Sequence, residues 1–524
     1  MKMFLMFFLA IQFSLQAQVT LSEPAEISKP LDIIFMADTQ IQNLLAPPHF
    51  FRNLFLDNLL EITVRPPHLD LFSPDFIKWT LSEYGEGKKV VFLGDALNIA
   101  CKNEWTKFRQ SMEQYKTHSG WVMAPGNHDS FFYGNTNGSR SNPKGVSKTW
   151  WAKSCLEGLN QPVPERIKDV VMAKDDLVKT YLGVLFDENK ENPTDFPITN
   201  KEIHCLTHKD LYKLSYEKDV VIKDCEWNSP NEESFLQNVF YSIPESDDIR
   251  YSYKSLIVQE LNLGENLKGI LLDTSDYEGA PTLLIGALNN GKERRVSKSL
   301  NAGIKGSLQK RQIDVVEKWI SGKNKTFFLL MGHHPLDALS EKSLKLLTEL
   351  KKNHPNLAYI SAHTHSGYLN QKGIIPEVNI GSMTDWNPGF VTLGTQTNDG
   401  NLSLEVKRTH FDEELLNCNQ ADNYGYYTDY KKIKSNNTTK IFDYTMNVIN
   451  ESFQKINGTY QEESLFCSRK DTDCRQGKFL LAKKVMDSDS LHQNDFDFYT
   501  QRISYGACQA FWASKAEHEL TLKK

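Results

Sequence analysis

Short apolar runs rich in β-branched and aromatic residues recur along this chain, and each one stops at a polar cluster. Residues 31–37 predict a buried strand that ends at Asp38-Thr39-Gln40. Helical spacing over 77–84 is stopped by Gly85-Glu86-Gly87, and the next strand, 90–93, ends at Gly94-Asp95. An amphipathic helix over 104–115 leads to a strand at 121–124, which ends at Gly126-Asn127-His128-Asp129. Further on, a strand at 269–272 ends at Asp273, and a helix over 307–320 follows. The strand 326–331 ends at Gly332-His333-His334-Pro335. A helix over 340–352 leads to a strand at 357–361 and then to Ala362-His363-Thr364-His365. Residues 374–395 and 402–406 read as additional strands.

The alternation fails between 131 and 250. That stretch is rich in Asn, Gly, Ser and Pro, with one helix expected over 164–182 and three scattered cysteines, and it reads as a loop-rich insertion. From 411 to 524 the chain is polar and richer in helix formers, which reads as a helical C-terminal extension. The unit between, 30–410, is expected to be α/β, because strands alternating with helices imply a sheet packed on both faces. In such sheets functional residues sit beyond the carboxyl ends of strands, so the polar clusters are expected to converge in space.

Composition narrows the function classes. The chain has 524 residues, 40% hydrophobic and 24% charged, and more length than one ordinary core requires. A net charge of −6 argues against nucleic-acid binding, which needs a basic face. The 8 cysteines contain no CxxC, which excludes a thioredoxin-like motif or a four-cysteine zinc ribbon. Lys2, then an apolar run over 3–15, then Ala17 give the layout of a secretory signal peptide over 1–17. The run is too short to span a bilayer, which takes about 20 apolar residues. The expected location is secreted or periplasmic, with disulfides permitted and no transmembrane segment.

The clustered residues are Asp38, Gln40, Asp95, Asn127, His128, His333, His334, His363 and His365. Carboxylate, amide oxygen and imidazole together suit divalent Zn, Mn or Fe. The set holds no Cys, as a structural zinc would, and is too rich in His for calcium. It also has too many ligands for one tetrahedral ion, so two ions sharing a carboxylate are expected.

The order Asp-x-Gln, Gly-Asp-x-x-Asn, Gly-Asn-His-Asp, Gly-His-His-Pro, Ala-His-Thr-His resembles the signature of the calcineurin-like metallophosphoesterase superfamily. The likeness covers residues 31–406 apart from the insertion. It implies a four-layer sandwich of two mixed β-sheets flanked by helices, and two divalent metal ions. By resemblance, Asp38, Gln40 and His365 hold one metal, Asn127, His333 and His363 hold the other, and Asp95 bridges them. His128 would then contact the phosphate or leaving oxygen, with Asp129 orienting it, and Asn127 would also face substrate; His334 is expected either to reach the substrate phosphate or to support a metal ligand from behind. The activity implied is hydrolysis of phosphomonoesters or phosphodiesters of small molecules, namely nucleotides, metabolites or lipid head groups. Three positions depart from the pattern. Gln40 stands where His is usual and is a weaker, harder donor. Ala362 replaces Gly, and Asn98 stands where purple acid phosphatases carry a metal-bound Tyr. The adjacent His333 and His334 leave the ligand assignment open between them, although the family pattern points to His333.

Other residues have plainer readings. Asp and Asn after strands often cap helices, so each is weak alone and the ordered set carries the argument. His204, Cys205, His208 and Cys225 fit no common zinc module, and disulfides or loose thiols are expected there instead. Cys467 with Cys474, and Cys418 with Cys508, are conceivable pairs. Trp105, Trp150, Trp151, Trp227 and Trp386 could wall a cleft, with a core role expected for most. The reading opposed to an enzyme is a secreted binding protein on a decayed phosphoesterase scaffold, motivated by Gln40 and the added segments.

Overall fold

The computed structural model describes residues 19–41, 69–98, 100–114, 120–129, 155, 169–186, 203–211, 219–245, 255–275, 306–365, 367–384, 389–398 and 400–410. The expected signal peptide, the C-terminal extension with its four cysteines, and Trp150, Trp151 and Trp386 lie outside them.

The described chain is mixed α/β with two mixed sheets. The first half supplies β1 (Val19–Ser22), β2 (Pro30–Met36), α1 (Leu69–Tyr84), β3 (Lys89–Phe92), α2 (Lys102–Gln114), β4 (Gly120–Met123) and α3 (Lys174–Leu185). Five strands follow: β5 (Ile203–Leu211), β6 (Asp219–Asn228), β7 (Leu236–Pro244), β8 (Leu256–Gly264) and β9 (Leu267–Leu272). The remainder supplies α4 (Lys310–Ile320), β10 (Phe327–Gly332), α5 (Glu341–Asn353), β11 (Leu357–Ser361), β12 (Tyr368–Asn370), β13 (Glu377–Asn379), β14 (Gly389–Asn398) and β15 (Asn401–His410). One sheet runs β1-β15-β14-β2-β3-β4, with β2, β3 and β4 parallel. The other runs β12-β13-β11-β10-β9-β8-β7-β6-β5, with β13, β11, β10 and β9 parallel and β8 to β5 antiparallel.

The period-2 geometry of a strand explains how these sheets are buried. In β10, Phe327, Leu329 and Met331 join a core shared with Phe35, Val91 and Val122 of the other sheet. The alternate residues Phe328 and Leu330 join a second core with Val316 and Ile320 of α4 and Leu347 and Leu350 of α5. Strands buried on both faces read as continuous apolar runs, which is why they are legible in the sequence. α2 covers β3 and β4 through aromatic contacts, with Phe108 4.9 Å from Phe92 and 5.6 Å from Trp121 between ring centroids. Trp105 and Trp227 are buried in this core, which matches the plainer expectation for them.

The stretch 131–250 departs from the expectation of loops. It contributes α3 and three strands, β5, β6 and β7, which continue the nine-stranded sheet outward from β8. Residues 256–264 form a further strand, β8, outside the expected elements. Mixed burial explains β6, where Ile222, Cys225 and Trp227 are buried while charged neighbours stay partly exposed, so no apolar run forms. The helix expected over 164–182 is seen as α3, displaced towards the C-terminus.

Two disulfides are present. Cys205–Cys225 joins directly opposed positions of β5 and β6, in keeping with the expectation there. Cys101–Cys155 joins the start of α2 to the 131–250 stretch, so the crosslinks are not confined to the added segments. Among the described residues no helix is long and apolar enough to cross a membrane.

Candidate metal centre

The parallel strands of both sheets deliver their carboxyl ends to one place. β2 leads to Asp38 and Gln40, β3 to Asp95, β4 to Asn127 and His128, β10 to His333 and His334, and β11 to His363 and His365. His333 is the hub. Its Nε2 lies 3.2 Å from Asp95 Oδ2, 3.0 Å from Asn127 Oδ1 and 3.1 Å from His363 Nδ1. Beside it, Asp38 Oδ1 lies 3.1 Å from His365 Nε2. Apart from this ion pair, Asp38 Oδ1 is a buried carboxylate oxygen without a hydrogen bond. Gln40 Nε2 donates to Asp95 Oδ2 at 3.2 Å, which leaves the buried carbonyl Oε1 without a partner.

Buried acceptors without donors are costly, about 1–3 kcal/mol each, and call for an explanation. A cation supplies one. Asp38, Asp95 and His333 form one cluster of converging donor atoms, and His333, His334 and His363 form another. Asp38 Oδ1, His365 Nε2, Gln40 Oε1 and Asp95 could hold one divalent ion, and Asp95, Asn127, His333 and His363 a second.

The backbone around the donors is held in an uncommon conformation. Asp38, Gln40, Asp95, His363 and His365 all have positive φ, between 41° and 68°. For residues other than glycine this costs on the order of 1–3 kcal/mol each and persists only where surroundings enforce it. Those surroundings are visible. Ser382 and Thr384 hydroxyls donate to the Asp38 carbonyl, and Asn379 Nδ2 donates to the Ala362 carbonyl. Gly94 and Gly126 bring the β3 and β4 loops into contact: a Cβ on Gly126 would strike the Asp95 carboxylate, and one on Gly94 would strike Gly126.

Asp129 does more than the sequence suggests. Its carboxylate accepts the backbone N–H groups of Asp95, Leu97 and Gly126, at 2.8–2.9 Å, and so ties the Asp95 loop to the β4 loop. The partner at His128 Nδ1 is the Asn98 carbonyl, at 2.6 Å, and not the expected Asp129. His128 N–H donates to Asp95 Oδ1 at 2.7 Å. His334 is fully buried; its Nδ1 meets Thr274 Oγ1 at 2.9 Å and its Nε2 has no partner. Thr274 and Asn379 carried no sequence signal of their own, and Asn98, although part of the Gly-Asp-x-x-Asn block, acts here through its backbone carbonyl.

The electrostatics follow from burial and crowding. Burial works against charge on His333, but the Asp95 and Asp38 carboxylates and the Leu93 carbonyl outweigh it and push the imidazole up to about 9. Burial also opposes the Asp95 charge, yet His333 and His128 hold its carboxyl well below the usual range. Burial and then the Asp95 charge push Asp129 up to about 7. Burial and the His333 charge lower His363 to about 3, and burial with the two neighbouring imidazoles keeps His334 well below 6.5. The carboxylates thus favour positive charge on His333 where the donor atoms converge, and a divalent cation would supply that charge in its place.

No protein-family model matches this chain, and no curated protein does.

Proposed function

We propose that this chain is an exported, two-metal phosphoesterase of the calcineurin-like type, acting on phosphomonoesters or phosphodiesters of small molecules. The observation that carries the reading is the convergence of Asp38, Gln40, Asp95, Asn127, His333, His363 and His365, with two buried oxygens among them that lack hydrogen bonds. The two mixed sheets, with helices packed on each, fit the four-layer sandwich of that superfamily. Bound Mn, Zn or Fe ions would polarise phosphoryl oxygens and lower the pKa of a neighbouring water.

The residues divide the remaining work. Asp95, aimed by the Asp129 crosslink, would be shared between the two ions. His128 donates its Nδ1–H to the Asn98 carbonyl, which orients the ring, and the imidazole would assist at the phosphate or the leaving oxygen. Replacing Asp95 or His363 with Ala should abolish metal-dependent release of p-nitrophenol from mono- and diester reporters. Unchanged turnover in both variants would sink the proposal, and fewer than one metal per chain after loading would favour a binding protein instead. Nucleotides and phosphorylated metabolites are the first substrates to screen, with lipid head groups second, under Mn, Zn and Fe in turn.

A further inference from the structure

A buried network beside the centre has no part in holding the ions. Lys174, the first residue of α3, is fully buried, and its Nζ donates to Asp273 Oδ1 at 2.8 Å and to Ser275 Oγ at 2.7 Å. Asp273 follows β9, and its Oδ1 also accepts the Ser275 N–H at 3.1 Å. Between them, Thr274 reaches the next strand end, where its Oγ1 accepts the His334 backbone N–H at 3.1 Å and meets His334 Nδ1 at 2.9 Å. The other side of the imidazole lies against Gly306, where a Cβ would strike the ring. Thr274 therefore fixes the position of His334, and Lys174 ties down Asp273 and Ser275, the residues on either side of Thr274.

Hydrogen-bond accounting then distinguishes the two adjacent histidines. His333 Nδ1 faces the Leu93 carbonyl at 2.8 Å, and a carbonyl can only accept. His333 must carry hydrogen on Nδ1, so its neutral form presents a lone pair at Nε2, as a metal ligand requires. At His334 the partner is a hydroxyl that already accepts a backbone N–H. That oxygen could accept twice, but among the described residues its single hydrogen has no acceptor other than His334 Nδ1, and the bond that uses it puts the imidazole hydrogen on Nε2. That Nε2 is buried, without a partner, in a ring 4.6 Å from the His363 ring. An N–H cannot ligate a cation, but it can donate to an anionic oxygen.

We infer that Thr274, braced by the buried Lys174–Asp273–Ser275 unit, is a positioning residue that holds His334 as an Nε2–H donor to a phosphoryl oxygen of the substrate, and that His334 is not a metal ligand. The inference rests on the phosphoesterase reading and extends it to the recognition of the phosphoryl group.

The test uses the full metal-loaded chain with inorganic phosphate as the probe and p-nitrophenyl phosphate as the reporter. Thr274→Val removes the hydroxyl at constant shape and releases Nδ1, whereas Thr274→Ser keeps it. Loss of a hydrogen bond to a charged group predicts about 10- to 100-fold weaker phosphate binding in Thr274→Val, with KM raised more than kcat is lowered. Metal content should stay at the wild-type value, and Thr274→Ser should restore binding. In the metal-free protein, nitrogen NMR of labelled histidine should show His334 protonated on Nε2, and Thr274→Val should disturb that signature. If Thr274→Val does not fold, His334→Gln and His334→Asn carry the test. Gln places an amide donor near the Nε2 position and should keep most phosphate affinity, whereas Asn should lose it. Wild-type affinity in Thr274→Val, equal behaviour of Gln and Asn, or loss of metal in the His334 variants would overturn the inference while leaving the phosphoesterase reading intact. A wild-type chain that takes up no metal and cleaves no ester would instead overturn both.

Discussion

At the residue scale the centre is a balance of charges that changes with pH. His333 is pushed above its ordinary value, so the folded state holds its proton more tightly than the unfolded chain does. A group of this kind stabilises fully below its unfolded pKa of about 6.5, and the benefit is lost as pH rises through about 9. The metal-free protein should therefore lose stability between pH 6.5 and 9, read as a falling urea midpoint, and His333→Gln should flatten that slope. Metal uptake must displace the same proton. Divalent-ion affinity measured by titration should therefore tighten over this window, and a flat profile would contradict the role given to Asp95 and Asp38. His128 offers a second check at this scale. If it assists the leaving oxygen, His128→Ala should lower kcat by about 10²- to 10⁴-fold while metal content stays at the wild-type value.

At the element scale the two disulfides separate stability from site geometry. Cys101–Cys155 spans 54 positions and Cys205–Cys225 spans 20. On the chain-entropy account, removing the first should cost about 4 kcal/mol and the second about 3. Their effects on the site should differ more than these costs. Cys101 sits just beyond Asn98, whose carbonyl holds His128, and Ala100 pairs with Met172 at the approach to α3. Cys101→Ala with Cys155→Ala should therefore depress turnover as well as the denaturation midpoint. Cys205→Ala with Cys225→Ala, out on the edge hairpin β5–β6, should affect only the midpoint. Equal losses of turnover in both would mean that the disulfide near α2 has no special hold on His128.

The same contrast between elements shows what the sequence reveals and what it hides. β2, β3, β10 and β11 are buried on both faces, so their apolar runs and terminal polar residues are plain in the sequence. β6 buries only some of its positions and the described positions of β5 are partly or fully exposed, so their charged residues look like loop composition. The candidate ligands were legible because each follows such a buried strand. Their supports were not, because Asn98 acts through a backbone carbonyl and Thr274 through a contact across 60 positions. Asp129 was legible as important but not in its role, because three backbone donors from separated segments leave no trace in spacing.

At the scale of the whole molecule the centre joins two sheets whose strand ends would otherwise repel or lack partners. Asp38 and Asp95 come from one sheet and His333, His363 and His365 from the other, with several donors in strained backbone. A ligand that binds only this folded arrangement stabilises it by mass action, by about 2.7 kcal/mol at a hundredfold excess over Kd. Mn or Zn at that excess should raise the thermal midpoint, and the gain should grow with metal concentration. Asp95→Asn removes the shared charge from both proposed ion sites, so it should abolish most of the gain. His365→Ala touches only the Asp38 side and should retain part of it. A midpoint that does not move with metal, or that moves equally in Asp95→Asn, would mean that the donors are held together by their own hydrogen bonds and His333's proton and not by an ion.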